Sequence, residues 1–237
     1  MNILITSGGT TEKIDNVRGI SNNSTGGLGC AIAEAFATVP NIQHIFYVCS
    51  KTAARPKTAN TSIHFIENVN NLYTTVENIC ISNEISVIVH AMAVSDYTVA
   101  SVALPSDVEK ASSSVSLIDA VTAANLQCSG KISSGAENLL LLLKKTPKVI
   151  GMLRNLAPEA TIFGFKLLDN VPKETLIDVG FKLLVYNACD FVLANDAAEV
   201  SHEKHIGYLI NKNRKYETFN SKPEIATAIA QAALQQI

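Results

Sequence analysis

Five short apolar runs, set apart by stretches of helical period, restrict this chain to few architectures. Ile3-Leu4-Ile5, His44 to Cys49 (HIFYVC), Ser86 to His90 (SVIVH), Thr161 to Lys166 (TIFGFK) and Asp190 to Ala194 (DFVLA) show no clean alternation of polar and apolar residues. A strand that is apolar on both faces is buried on both faces, as in a parallel sheet covered by helices. Between the runs, Val69, Leu72, Val76 and Ile79 share one face, the period of a helix packed on a sheet. Ile63 to Ile66 and Leu139 to Leu143 predict further strands, and helices are predicted over Pro147 to Leu156 and Lys173 to Asn187. Lys212-Asn213-Arg214 reads as the turn of a hairpin joining Ile206–Asn211 to Lys215–Phe219, which adds antiparallel strands at a sheet edge. A last helix starts at Ser221 and Glu224, a capping-box pair ahead of Ile225, Ile229 and Ala233. The predicted fold is α/β: a Rossmann-like three-layer fold with a mostly parallel sheet and an antiparallel edge hairpin, in one domain over residues 1–237. Only Ala91 to Gly135 resists the pattern. Its polar stretch from Ser101 to Ser116 and its patches Ser112–Ser114 and Ser133–Ser134 read as irregular and mobile.

The segment from Ile3 to Ala31 joins the first strand to a helix expected near Gly26. Gly8-Gly9 ends the strand, and Ser24, Gly26 and Gly29 lead into Leu28, Ile32 and Phe36 at helical spacing. Free N–H groups and the positive end of a helix dipole would then face an anion, and glycines without Cβ atoms would let a phosphate approach. The connection is about twenty residues long, where about 2–6 is usual for such units. It is dense in hydrogen-bonding side chains: Glu12, Asp15, Arg18, Ser21, Asn22, Asn23 and Ser24. An ordinary surface loop with capping residues is the plainer reading of that run.

Charge narrows the partners. A formal net charge of −2 favours neither nucleic acid nor an anionic membrane, so an anionic substrate must be attracted locally, with Arg18 and Lys131 as candidates. The 47% hydrophobic content speaks against disorder and suggests apolar surface buried between subunits. Five singly placed cysteines, Cys30, Cys49, Cys80, Cys128 and Cys189, read as buried thiols in a reducing compartment. With no apolar run of about 18 residues and no basic leader, the expected location is the cytoplasm.

The string SGGTTEKIDNVRGISNNSTGGLG closely resembles the opening signature of the phosphopantothenoylcysteine synthetase family. AMAVSDY (Ala91 to Tyr97), GKISS (Gly130 to Ser134), GFKLL (Gly164 to Leu168) and FVLAND (Phe191 to Asp196) follow in that family's order. The resemblance implies a ligase that joins 4'-phosphopantothenate to L-cysteine through an acyl-nucleotide, in coenzyme A biosynthesis. It implies CTP as the nucleotide, with ATP favoured by eukaryotic relatives, and Mg2+ with no ligands assigned. Many members carry a flavin-dependent decarboxylase domain first; the signature here starts at the first residues, which implies the free-standing form. By the same resemblance, Gly8, Gly9, Ser24, Gly26 and Gly29 contact the phosphates. Asn22 acts on the acyl-nucleotide, where a neutral amide can donate to an oxyanion, and Arg18 binds substrate as a fork onto its phosphate. Asp96 holds ligand hydroxyls, and Met92 and Ala93 line the substrate groove and the dimer contact, methionine replacing the usual smaller residue. Lys131 sits on a flap that closes over the nucleotide. Phe165 packs on the base with Gly164 admitting it, and Asn195 hydrogen-bonds the nucleotide. Further lysines of some bacterial members are serines here, and another is replaced around Asn187. The family works as a homodimer.

Three other readings are weaker. Tyr47 and Lys51 have a short-chain dehydrogenase spacing but fall at a strand end, and no acidic residue ends the second strand to hold a ribose diol, so an NAD(P)-dependent reductase lacks support. A nucleotide-binding regulator would bind without turnover. His202 and His205 lack zinc-site spacing and read as surface histidines.

Overall fold

The computed structural model describes residues 1–111, 115–126, 130–200 and 204–236. The Ser112–Ser114 patch, Cys128, Ser129 and His202 lie outside the described residues.

The first apolar run becomes β1 (Asn2–Ser7), the innermost strand of the sheet's early half. Ile3 and Ile5 pack into one core and Leu4 into the other, which is why the run has no polar face. Parallel to β1 lie β4 (His44–Ser50) and β6 (Val87–His90), one on each side. Beyond β4 is β5 (Thr61–Ile66), and beyond β6 come β9 (Thr161–Leu168) and β10 (Phe191–Asp196), all parallel. The hairpin of β11 (Gly207–Asn211) and β12 (Tyr216–Phe219) continues the sheet antiparallel, giving the order β12-β11-β10-β9-β6-β1-β4-β5. One face is covered by α1 (Gly27–Ala37) and α7 (Lys222–Leu234), which pack on each other and on Ile3, Ile5 and Tyr47. The other is covered by α2 (Val69–Ser82), α5 (Val149–Leu156) and α6 (Lys173–Tyr186), around Leu4, Ile88, Ile162 and Val192. The three layers and the edge hairpin are those expected. Ser221 caps α7 by accepting from Glu224 N–H, and Glu224 reaches back to Asn220 N–H at 2.9 Å.

The long connection after β1 is folded back on itself. It forms a small hairpin, β2 (Thr11–Lys13) with β3 (Gly19–Ser21), docked by buried Glu12, which accepts from Val69 N–H at the start of α2 (2.8 Å) and from Thr98 Oγ1 (2.6 Å).

The segment Ala91 to Gly135 is more regular than its sequence suggests. Tyr97–Ala103 forms β7, paired antiparallel with β8 (Leu140–Lys145) as a separate two-stranded arm. Two short helices, α3 (Pro105–Ala111) and α4 (Leu117–Ala123), bury Val108, Ala120 and Val121 beneath it. The predicted strand at Leu139–Leu143 therefore exists, but outside the main sheet, and Leu140, Leu141 and Leu143 remain exposed. Three of the cysteines, Cys49, Cys80 and Cys189, are buried as expected, while Cys30 is partly exposed. Burial pushes the Cys49 and Cys80 thiols up to about 11 and that of Cys189 to about 12. Among the described residues no helix is long and apolar enough to cross a membrane.

Candidate functional site

At the carboxyl ends of β1, β6, β9 and β10 the sheet opens into a cleft of about 640 Å³. Chain direction divides here: from β1 it runs outward to β4 and β5, then returns across β1 to β6. Such switch points leave a crevice in open α/β sheets.

One wall is built by extending β1. Gly9 forms a parallel bridge with Ala93, Ala93 N–H donates to Gly8 O (2.8 Å), and Thr10 N–H donates to Ala93 O (3.1 Å). Across this seam Thr10 Oγ1 donates to Ser95 Oγ and accepts from Ser95 N–H, while Ser95 Oγ donates to Asn22 Oδ1 at 3.3 Å. Asn22 N–H donates to Thr10 O, and its Nδ2 donates to Val94 O at 3.1 Å. The carboxamide is thus held at both ends. Nδ2 carries a second hydrogen, free to point at a ligand. Gly9 makes this crossing possible: a Cβ there would stand 1.8 Å from Asn22 O.

Ser24, Met92 and Ala93 line the same wall. Opposite them are Phe165 and Asn195, on β9 and β10. The Asn195 side chain enters no hydrogen bond among the described residues, whereas its neighbour Asp196 accepts from the N–H groups of Val171, Ala198 and Asn170. Those bonds, the Val171 one foremost, hold the Asp196 carboxyl below the usual range. Within the FVLAND run, then, Asp196 shapes the loops and Asn195 faces the cleft. Asp96 lines the rim, paired with the exposed Lys148. Behind it, His90 is buried with Nδ1 2.8 Å from Thr6 Oγ1, and desolvation lowers its pKa to about 4, so it is neutral at physiological pH.

The remaining expected site residues are placed differently. Gly26 begins α1 with φ 70°, a conformation glycine adopts readily, and leaves the helix without a side-chain cap. Gly29 faces the sheet, where a Cβ would stand 2.3 Å from Ser7 Oγ, so its missing side chain lets α1 pack on β1. Gly8 is buried against Ser50 and Ala53, and Gly164 is packed against Leu183 and Ile150 of the helical layer, two residues that themselves line the cleft. Arg18 is engaged within the protein: Nε and Nη2 donate to Asp15 Oδ2, and Nη2 also donates to Ile132 O. The Asp15 carboxylate, fully covered by protein, further accepts from Val17, Arg18 and Ile132 N–H groups. Arg18, then the Val17 N–H, holds its carboxyl far below the ordinary carboxylate range, so the clamp stays charged at physiological pH. It pins the segment next to Lys131, which is exposed and does not line the cleft of its own chain. Arg18 keeps only Nη1 for another partner.

The sequence did not point to Thr10, Ser95, Lys148 or His90 as parts of the site. Thr10 lies inside the opening SGGTT run and Ser95 inside AMAVSDY, so their motifs carried a signal; Lys148 and His90 lie outside the quoted motifs. His205, expected at the surface, has both ring nitrogens enclosed; it forms an antiparallel bridge with Val200, and both residues line the cleft. Among the described residues no group of three or more His, Cys, Asp or Glu could hold a metal.

Comparison with known proteins places these features in context. The DNA/pantothenate metabolism flavoprotein C-terminal domain family matches residues 1–124. The coenzyme A biosynthesis bifunctional protein CoaBC of Methanocaldococcus jannaschii is 31% identical over 97% of this chain and 49% of its own length. That of Thermococcus kodakarensis is 30% identical over 89% of this chain and 45% of its own length. The chain thus spans about half the length of the curated relatives it matches. A crystal structure of the DNA/pantothenate metabolism flavoprotein from Streptococcus pneumoniae superposes with a TM-score of 0.88 at 35% identity, covering 100% of both chains.

Proposed function

The chain belongs to the DNA/pantothenate metabolism flavoprotein C-terminal domain family, and on that premise we propose that it is the ligase that joins 4'-phosphopantothenate to L-cysteine through an acyl-nucleotide. The names of both curated relatives place them in coenzyme A biosynthesis. The observation that carries the reading is the Asn22 carboxamide, fixed from two sides at the cleft mouth with one N–H to spare. It faces a wall bearing the unengaged amide of Asn195.

In the first step a carboxylate oxygen of phosphopantothenate attacks the α-phosphorus of the nucleotide, and the bond to the β-phosphate bridge breaks to release pyrophosphate. In the second, the cysteine amine attacks the acyl carbon and the nucleoside monophosphate leaves with the bonding electrons, while the amine loses a proton. Negative charge grows on the acyl oxygen, where the spare Asn22 N–H can donate. Phe165 offers a face for the base, Asn195 an amide for its edge, and Asp96 a carboxylate for hydroxyls. Lys131 adds charge when its flap closes. Among the described residues the cleft supplies one carboxylate, Asp96, already paired with Lys148; magnesium would enter with the triphosphate, bound by phosphate oxygens and water. Incubating protein, magnesium, phosphopantothenate and cysteine with CTP or ATP tests the reading. CTP-dependent pyrophosphate release is expected, and equal or greater activity with ATP would sink the CTP assignment.

The assembly belongs to the same proposal. A two-stranded arm is marginal by itself, and the exposed Leu141 and Leu143 of β8 flank Leu142, which packs against the helices beneath. A second copy covering this arm would make a symmetric homodimer and bring Lys131 and Arg18 within reach of a shared groove. Changing both Leu141 and Leu143 to glutamate should give a folded monomer with little ligase activity; a variant that still sediments as the wild type does would argue against the arm.

A further inference from the structure

Two donor groups from separate elements lie at and beside one corner of the cleft: His205 lines it, and Lys222 sits against the start of α1, whose Leu28 lines it too. His205, just ahead of β11, has both ring nitrogens enclosed, and neither makes a hydrogen bond. It lines the cleft near Asn195 and Val200, with Ser24 and Leu28 of the α1 start on the same cavity. Lys222, the first residue of α7, is half-buried and joins none of the ion pairs among the described residues. Its Nζ lies 3.4 Å from where a Cβ on Gly27 would stand, which places the ammonium against the first residue of α1. That helix end has no N-cap side chain, only a long contact (3.4 Å) from Gly27 N–H to Thr25 Oγ1. The backbone N–H of His205 donates to Asn220 O (2.9 Å), two residues before Lys222, and burial, then the Lys222 charge, lowers the His205 pKa and favours the neutral ring.

Each of these placements is costly without a ligand. An ammonium and the positive end of a helix dipole repel. A desolvated imidazole nitrogen with no partner is an uncompensated loss. A group with several anionic oxygens, set among them, would relieve both. We propose that His205 and Lys222 bind a phosphoryl group of the ligand that fills the cleft, an assignment that rests on the nucleotide-dependent reading above. Neither residue transfers a proton in this role; both donate hydrogen bonds to phosphoryl oxygen.

Two sources of phosphoryl group are available, the nucleotide and the phosphate of phosphopantothenate, and separate titrations distinguish them. Wild type, His205→Leu and Lys222→Met are titrated calorimetrically with inorganic pyrophosphate, with CTP and with phosphopantothenate. Both variants should bind pyrophosphate and CTP about tenfold or more weakly, the usual scale for hydrogen bonds to charged groups, with phosphopantothenate unchanged. A loss confined to phosphopantothenate would support the site and assign it to the substrate phosphate. Without ligand, His205→Leu should melt at or above the wild-type temperature, because an unpartnered polar group has been removed. A merely structural histidine would give the opposite. Wild-type affinity for all three compounds in both variants, or no binding of any of them by the wild type, overturns the proposal. The pyrophosphate arm needs no turnover. Pyrophosphate binding lost in the variants, in a protein without ligase activity, would refute the ligase reading and leave this one standing. An active ligase whose variants bind as the wild type does would do the reverse.

Discussion

Gly9→Ala should abolish most of the activity while leaving a protein that still folds, with a lowered melting temperature. The new Cβ would stand 1.8 Å from Asn22 O and 3.0 Å from Asn22 C, both backbone atoms, so no rotamer change can relieve it. Either the bridge from Gly9 to Ala93 opens or the segment carrying Asn22 moves outward. Overpacking of this kind costs about 1–3 kcal/mol in stability. A shift of about 1 Å in a reacting group can cost on the order of a hundredfold in rate. The matched control is Gly151→Ala, within α5, whose Cβ would meet nothing closer than 3.7 Å and should keep full activity. Thermal melting and single-turnover rates on both variants check this. A Gly9→Ala protein with wild-type rate and melting temperature would mean that Asn22 is not held by this crossing.

Asn22→Asp is expected to separate the two half-reactions. Aspartate keeps the shape and can still accept from Ser95 Oγ, but it loses the donor to Val94 O and the spare N–H. A carboxylate facing a developing oxyanion repels it. Removing one oxyanion donor costs about 10²–10³ in rate, so transfer to cysteine should fall by at least that much. Acyl-nucleotide formation, which has its charge at phosphorus, should continue. Quenched-flow samples should therefore show the acyl-nucleotide accumulating in the variant. If Asn22→Asp binds nucleotide yet forms no intermediate, the amide acts before transfer and the assignment is wrong.

The main sheet was legible because its central strands are buried on both faces. Ile3, Leu4 and Ile5 feed two cores in turn, and only an apolar run can do that. The β7–β8 arm was legible only in part: Leu139–Leu143 read as a strand, but Tyr97–Ala103 did not, and its partner lies beyond two short helices. Neither strand shows its pairing locally. At the site, motif positions located Asn22, Asp96, Phe165 and Asn195, which the fold brings to one cleft. The glycines misled in part, since one residue type serves both phosphate approach and helix packing, and Gly29 and Gly164 have packing reasons. Arg18 read as a free fork because nothing in its spacing reveals that Asp15 holds it from three residues away and ties it to Ile132. His205 has enclosed ring nitrogens and a bridge to Val200, a placement that local composition does not announce.

The route through an acyl-nucleotide can be read without cysteine. Enzyme mixed in a single turnover with CTP, magnesium and phosphopantothenate, but no amine, should release a burst of pyrophosphate equal to the active sites and hold an acyl-CMP. Adding cysteine should then discharge that intermediate to CMP and amide. Pyrophosphate that appears only when cysteine is present, or release of orthophosphate and CDP instead, would contradict the account.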